Sequence, residues 1–285
     1  MTKVKLEPFY YGIVVQYIDS IYTLQRFHMV SKKVNTGIEQ TNINPLCGIE
    51  SLQTAFSANQ TQIHKIENKI FSHVDTFQVH FRYVEKMSDE ELKSHKLIDV
   101  YKYVMKNNQN ECQLLLNNRD MIRTIGIDTS YPIYFNLSTM KSLRYLRVRI
   151  SNEQNQQVIN DIINAIQFNH SIKKVIIECH SLFIPRLINE ILPYQSVNKE
   201  IICIITRYSE EDMDMIKQLI KKSLCVVGIK DTHLKVFDEM FLDYKNIVIL
   251  PNVPKYFRVT KEFKEHDKYP ELKRLYFPVK EETMN

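Results

Sequence analysis

Glycine is scarce in this chain and tryptophan is missing: five glycines and no tryptophan among 285 residues. The glycines stand at 12, 37, 48, 126 and 228, so no two lie closer than 11 residues. That spacing excludes the dinucleotide G-x-G-x-x-G loop, the P-loop and the G-x-S-x-G elbow, which need clustered glycines to bring backbone against a ligand. A nucleotide enzyme of the common kinds is not expected, and no cofactor is implied. The five cysteines are odd in number and form no C-x-x-C pair, which suits a reducing compartment rather than a disulfide framework. No apolar run approaches the roughly 18 residues of a membrane span. Ile201-Ile202-Cys203-Ile204-Ile205 is short and bounded by polar residues. The N-terminus, with Lys3, Lys5, Glu7 and Pro8, has no apolar core of a signal peptide. The expectation is a soluble chain of the cytoplasm or nucleus, with no membrane partner. A net charge of +5, spread along the chain, offers no concentrated basic face for nucleic acid.

What the sequence does have is a recurring apolar triplet. Val74, Phe77 and Val79 share a spacing with Ile122, Ile125 and Ile127, and with Leu143, Leu146 and Val148. It returns at Ile172, Val175 and Ile177; at Leu224, Val227 and Ile229; at Tyr244, Ile247 and Ile249; and at Leu272, Leu275 and Phe277. Ile201 and Cys203 continue the series with Asn198 at the first place. From Ile127 onward the third positions are 21, 29, 26, 26, 20 and 28 residues apart. A wider gap of 48 residues, from Val79 to Ile127, holds a long helical insert or one decayed repeat. Helical periodicity fills the intervals, with Val158, Ile159, Ile162, Ile163 and Ile166, then Leu187, Ile188, Ile191 and Leu192, then Met213, Ile216, Leu219 and Ile220. The pattern resembles the L-x-x-L-x-L core of leucine-rich repeats, whose period is about 20–29 residues. That family keeps a small polar residue three places after the third apolar site; here stand Ser130, Ser151, His180, Thr206, Thr232 and Asn252. The resemblance implies an α/β fold, a right-handed solenoid with parallel strands inside and helices outside, over residues 46–285. A doubly wound α/β domain is the competing fold, but it usually carries glycine-bearing loops at its strand ends.

Residues 1–45 read differently. Pro8 suits the first turn of a helix, Val14, Tyr17 and Ile18 share a face, and Leu24, Phe27 and Val30 form a second apolar stripe after a polar break at Asp19-Ser20. A helix ending Val30-Ser31-Lys32-Lys33 completes an order that resembles the F-box. An F-box-like start followed by leucine-rich repeats looks like the substrate receptors of Skp1–cullin–F-box ubiquitin ligases. The resemblance implies docking on a Skp1-like adaptor through Leu6, Pro8, Val14, Ile18, Leu24, Phe27 and Val30. The same residues could instead cap the first repeat, since solenoid ends need a cover.

Side chains alternate along a strand, so residues between the core positions face the inner surface. Gln78, His80, Asp128, Tyr145, Arg147, Arg149, Lys174, Glu178, Lys230 and Tyr276 are the candidate partner-binding residues there. Tyr145, Arg147, Arg149 and Lys174 make a basic, aromatic-edged patch; from Ile176 through Ile202, Ile204 and Val248 the face turns apolar. That apolar stretch suggests either a contact or a cover supplied by the segment from Lys255 onward. No catalytic constellation stands out. Cys179 and Cys203 read as buried small hydrophobes, no H-E-x-x-H occurs, and the acidic runs Asp89-Glu90-Glu91 and Glu210-Glu211-Asp212 suit helix starts. The expected function is a non-catalytic protein–protein interaction module with no metal. The alternatives are a repeat scaffold that binds no adaptor and an α/β enzyme with an unrecognised site.

Overall fold

Branched aliphatics at alternate positions favour strands, and a helix-length interval between strands brings the chain back in the same direction. The computed structural model describes residues 7–18, 21–45, 69–84, 87–104, 112–225, 227–231 and 247–251. The chain divides into two compact units, Met1–Lys173 and Lys174–Asn285. The first holds strands β1 (Thr76–His80), β2 (Leu97–Val104), β3 (Ile122–Asp128) and β4 (Tyr145–Arg149), parallel and adjacent in chain order. In the second, β5 (Lys174–His180), β6 (Glu200–Arg207), β7 (Val227–Asp231) and β8 (Ile247–Pro251) follow the same rule. The fold class is therefore α/β with parallel strands, and within neither unit does the strand order reverse.

Register places equivalent triplet residues side by side. Ile125 pairs with Leu146 and Ile127 with Val148; Val175 pairs with Ile201 and Ile177 with Cys203. All eight side chains are buried. The helix Gln156–Phe168 lays Val158, Ile159, Ile162 and Ile166 into the core, and Met213–Lys222 does so with Ile216, Leu219 and Ile220. Between β5 and β6 the helical stretch is irregular. Pro185 and Pro193 flank a π turn at Leu187–Ile191, where Leu187 and Ile191 are buried. The acidic run at Asp89 does begin a helix, Asp89–Lys93, closed by a capping box between Ser88 and Glu91. Asp212 likewise stands at the head of Met213–Lys222, accepting from Ser181 Oγ at 2.6 Å and Ser209 N at 2.7 Å, which holds its carboxyl below the usual range.

Of the two readings of the 48-residue gap the decayed repeat holds, and two other expectations need correction. The 48-residue gap contains β2, a decayed repeat whose Ile98 and Val100 pair with Phe77 and Val79. Its first apolar place is taken by His95, which is buried and stacked on Phe77 at 4.6 Å. Further along, β6 and β7 pair Cys203 with Val227 rather than with Ile229, a slip of two residues that keeps the same face inward. Leu224, read as a core position, is 74% exposed. Its amide hydrogen-bonds Gln195 Oε1 at 3.0 Å in the turn before β7. The triplet at Leu272 lies outside the described residues.

The N-terminal segment forms helices α1 (Pro8–Val15), α2 (Ile21–His28) and α3 (Lys32–Glu39). Pro8 opens α1 as expected. The third helix was not anticipated. Ser31 does not end α2; its hydroxyl accepts from Val34 N at 3.3 Å and caps α3. A Cβ on Gly37 would lie 2.3 Å from the Pro8 carbonyl oxygen, and one on Gly12 would lie 2.9 Å from the Gly37 oxygen. Two of the scarce glycines are thus spent on letting α1 and α3 touch backbone to backbone. The chain after α3 then covers the edge of β1. Ile43 bridges Thr76, and the buried Asn44 side chain accepts from Gln78 N at 2.6 Å and donates to Gln78 O at 2.8 Å, as a neighbouring strand's peptide would.

Gly37→Ala decides which effect governs that crossing. Helix propensity alone favours alanine by about 1 kcal/mol, whereas the backbone overlap costs about 1–3 kcal/mol as overpacking. The urea midpoint is expected to fall; a rise would contradict the close crossing. A second expectation concerns pH. His95 Nδ1 donates to the Val74 carbonyl at 2.8 Å, while its buried Nε2 has no hydrogen-bond partner. Burial lowers its pKa, opposed by the Val74 bond and aided by His73 nearby. The unfolded chain therefore binds this proton more readily, so stability falls as pH drops below the ordinary histidine value of about 6.5. Urea midpoints at neutral and mildly acid pH should diverge for the native chain and diverge less for His95→Phe. An equal divergence in both would remove His95 as the cause.

Candidate interaction surfaces

Amphipathic helices normally turn one apolar side inward and a polar side outward. Helix α1 is apolar on both. Val15 and Ile18 join Leu24, Val34 and Ile38 in a small buried core. On the opposite side of the helix, Phe9, Tyr10, Ile13, Val14 and Tyr17 are all exposed, Tyr17 by 83%. At 3.6 residues per turn Phe9, Tyr10, Ile13 and Val14 fall on one continuous face, Tyr17 follows in the turn after α1, and none of the five is charged. Met29 and Val30, in the turn between α2 and α3, are exposed as well. This face divides the expected adaptor residues. Val14 and Val30 are exposed; Phe27 is half-buried with its ring 6.1 Å from that of Tyr11; Pro8 is half-buried at the α1–α3 crossing. Ile18 and Leu24 are corrected to core positions, Leu24 with no exposure at all. Leu6 lies outside the described residues. Sequence reading missed Phe9, Tyr10, Ile13 and Tyr17 as an outer surface, because an all-round apolar helix gives no period that tells its inner from its outer side.

A second surface lies on the sheet face of the first unit. Along β4 burial alternates strictly: Leu146 and Val148 are buried, while Tyr145 and Arg149 are exposed and Arg147 is half-buried. Tyr103 on β2 pairs with Gly126 on β3, which pairs with Arg147 on β4. Gly126 carries no side chain, so residues from β2 and β4 meet across it. The guanidinium of Arg149 sits 4.1 Å from the centre of the Tyr103 ring, and that of Arg147 sits 5.8 Å away. Asp128, expected to be an accessible contact, is buried instead. It accepts from Ser130 N at 3.0 Å and from the Ser151 hydroxyl, and lies 3.8 Å from Arg149 Nη1. Ser130 and Ser151 hydroxyls also bond each other at 2.7 Å, so the polar places after β3 and β4 do form a ladder. One row further, Asp99 takes two bonds from Arg123 and one from Thr124 Oγ1 at 2.7 Å.

The remaining expected contacts fare unevenly. Gln78 is half-buried and its backbone is bound by Asn44. Lys174, assigned to the basic patch, is engaged with Glu200 at 2.8 Å. Glu178 is buried, and so are Ile176, Ile202 and Ile204. The inward-facing stretch of β5 and β6 is therefore no exposed apolar surface. Both faces of those strands are buried, which is why β6 reads as an unbroken apolar run from Ile201 to Ile205. The side chains of His80, Lys230 and Val248, and the whole of Tyr276 and the segment from Lys255, lie outside the described residues.

For chemistry, the described residues hold no group of three or more His, Cys, Asp or Glu able to hold a metal ion. Cys179 and Cys203 are buried, and burial pushes the Cys203 thiol up to about 12, so it is not a thiolate at neutral pH. Asn169, part of a glycosylation-like triplet, is buried and donates to the Leu137 and Met140 carbonyls at 2.8 and 3.0 Å. Among the described residues no helix is long and apolar enough to cross a membrane. Compared with known proteins, the chain matches no family model, no curated protein and no solved structure.

Proposed function

We propose that the chain is a protein–protein interaction module, a degenerate leucine-rich-repeat solenoid headed by an F-box-like set of three helices that docks a Skp1-like adaptor. In-order parallel strands with triplet residues in register support the solenoid. A doubly wound sheet would reverse its strand order at a switch point. The observation that carries the docking reading is the two-sided apolar character of α1. Capping the first repeat uses the inner side and the segment from Thr41 to Asn44. It leaves Phe9, Tyr10, Ile13, Val14 and Tyr17 unused. Each such side chain, fully buried by a partner, would contribute about 1.5–3 kcal/mol. Capping and adaptor docking thus draw on different residues and are compatible. In ubiquitin transfer the role of the chain is geometric, holding the adaptor at one end and a client on the sheet face of β4.

Pull-down with a Skp1-type adaptor tests this. Val14→Asp and Tyr17→Asp change only exposed positions, so they should abolish recovery while leaving the far-UV circular dichroism and thermal midpoint in place. Leu24→Asp is uninformative, because a charge at a fully buried site costs the fold itself. Recovery unchanged in both outer-face variants would overturn docking through this face, and no recovery with the native chain would leave the scaffold that binds no adaptor.

A further inference from the structure

We propose that Arg147, with Arg149 and the Tyr103 ring beneath them, forms a carboxylate-binding site for an acidic, extended peptide segment; this rests on the sheet face of β4 being the client surface. Four arginines belong to β3, β4 and the residue before β4, and three have an acceptor. Arg123 grips both oxygens of Asp99. Arg144 Nη1 donates to the Ser171 carbonyl at 2.9 Å, and Arg149 faces Asp128. Arg147 has neither carboxylate nor carbonyl acceptor among the described residues, and its Nε is buried without a hydrogen-bond partner. A half-buried guanidinium has given up part of its hydration and gains most from a carboxylate, which takes two parallel N–H bonds in one plane. The Tyr103 ring, 5.8 Å from the guanidinium carbon, lies against it before any partner arrives.

The occupant follows from the neighbours. Tyr145 precedes Arg147 by two residues on the same face and is 40% exposed. Alternate side chains of an extended peptide are about 6.8 Å apart, the same step as along β4. An acid over Arg147 therefore sets its second neighbour over the Tyr145 ring. A polyphosphate strand is disfavoured, because Asp99 and Asp128 already engage Arg123 and Arg149, so this face offers no continuous basic track for a run of phosphates.

The test is fluorescence anisotropy with the full chain and two fluorescein-labelled ten-residue peptides in which every other residue is Ser and the residues between them alternate Glu with Tyr in one and Gln with Tyr in the other, so that acid or amide and ring share one face. The Glu peptide should bind at least about tenfold tighter than the Gln peptide, as a charge-assisted pair requires. Its affinity should fall as salt rises from about 50 to about 300 mM. Arg147→Gln should remove that advantage without moving the thermal midpoint, and Arg149→Gln serves as the second variant should Arg147→Gln fold poorly. Equal binding of both peptides, insensitive to either variant, overturns the carboxylate site while leaving the interaction surface standing. Binding of neither peptide overturns both. A single-stranded oligonucleotide binding tighter than the Glu peptide overturns the peptide assignment alone.

Discussion

Everything in this molecule hangs on stacking aliphatic side chains from one strand onto the next strand in chain order. A strand of five to eight residues with one apolar face cannot bury that face alone; it needs a like neighbour on each side and helices over it. Ile125 against Leu146, Ile127 against Val148, Val175 against Ile201 and Ile177 against Cys203 are the visible form of that requirement. Once each strand lies beside its predecessor, the intervening face is free to carry other residues. In the first unit it carries Tyr145, Arg147 and Arg149. In the second, β5 and β6 are buried on both sides and have no such freedom.

The start of the array shows how an edge can be closed and still leave something over. An open strand edge invites unwanted pairing. The Asn44 side chain satisfies a β1 donor and acceptor on the edge where no further strand lies among the described residues. Helices α1 and α3 reach van der Waals contact only because Gly12 and Gly37 meet at their crossing. With that crossing made, the inner side of α1 is used up in the core, and the aromatic outer side remains as surface. Glycine scarcity, which excludes phosphate loops, also marks where backbone or side-chain space is needed. Two glycines serve the helix crossing, and Gly126 clears the ground between Tyr103 and Arg147.

How far the sequence speaks for itself depends on whether spacing or identity carries the signal. Strands β3, β4 and β5 were legible because all three triplet positions are aliphatic. Strand β2 was not, since His95 occupies an apolar place by stacking on Phe77 and bonding a carbonyl. Its pairing with β3 also skips residues between Asp99 and Tyr103, so the period is broken there. Missing β2 meant missing Tyr103, and with it the floor under the arginines, although Arg147 and Arg149 themselves were found by alternation. Helix α3 escaped because Ser31 follows an apolar stripe and looks like its end, whereas its hydroxyl begins a new helix. The slip between β6 and β7 is invisible to periodicity, because a shift of two residues keeps every side chain on its face.

The account stands or falls on strand order, and methyl-labelled NMR of the intact chain reads it directly. Methyl groups of paired positions in adjacent strands lie about 5 Å apart, within reach of a nuclear Overhauser contact. The account predicts cross-peaks from Ile125 to Leu146, Ile127 to Val148 and Val175 to Ile201. Cross-peaks placing β4 beside any strand of its unit other than β3, or showing the order of β1 to β4 reversed about a central strand as in a doubly wound sheet, would contradict it.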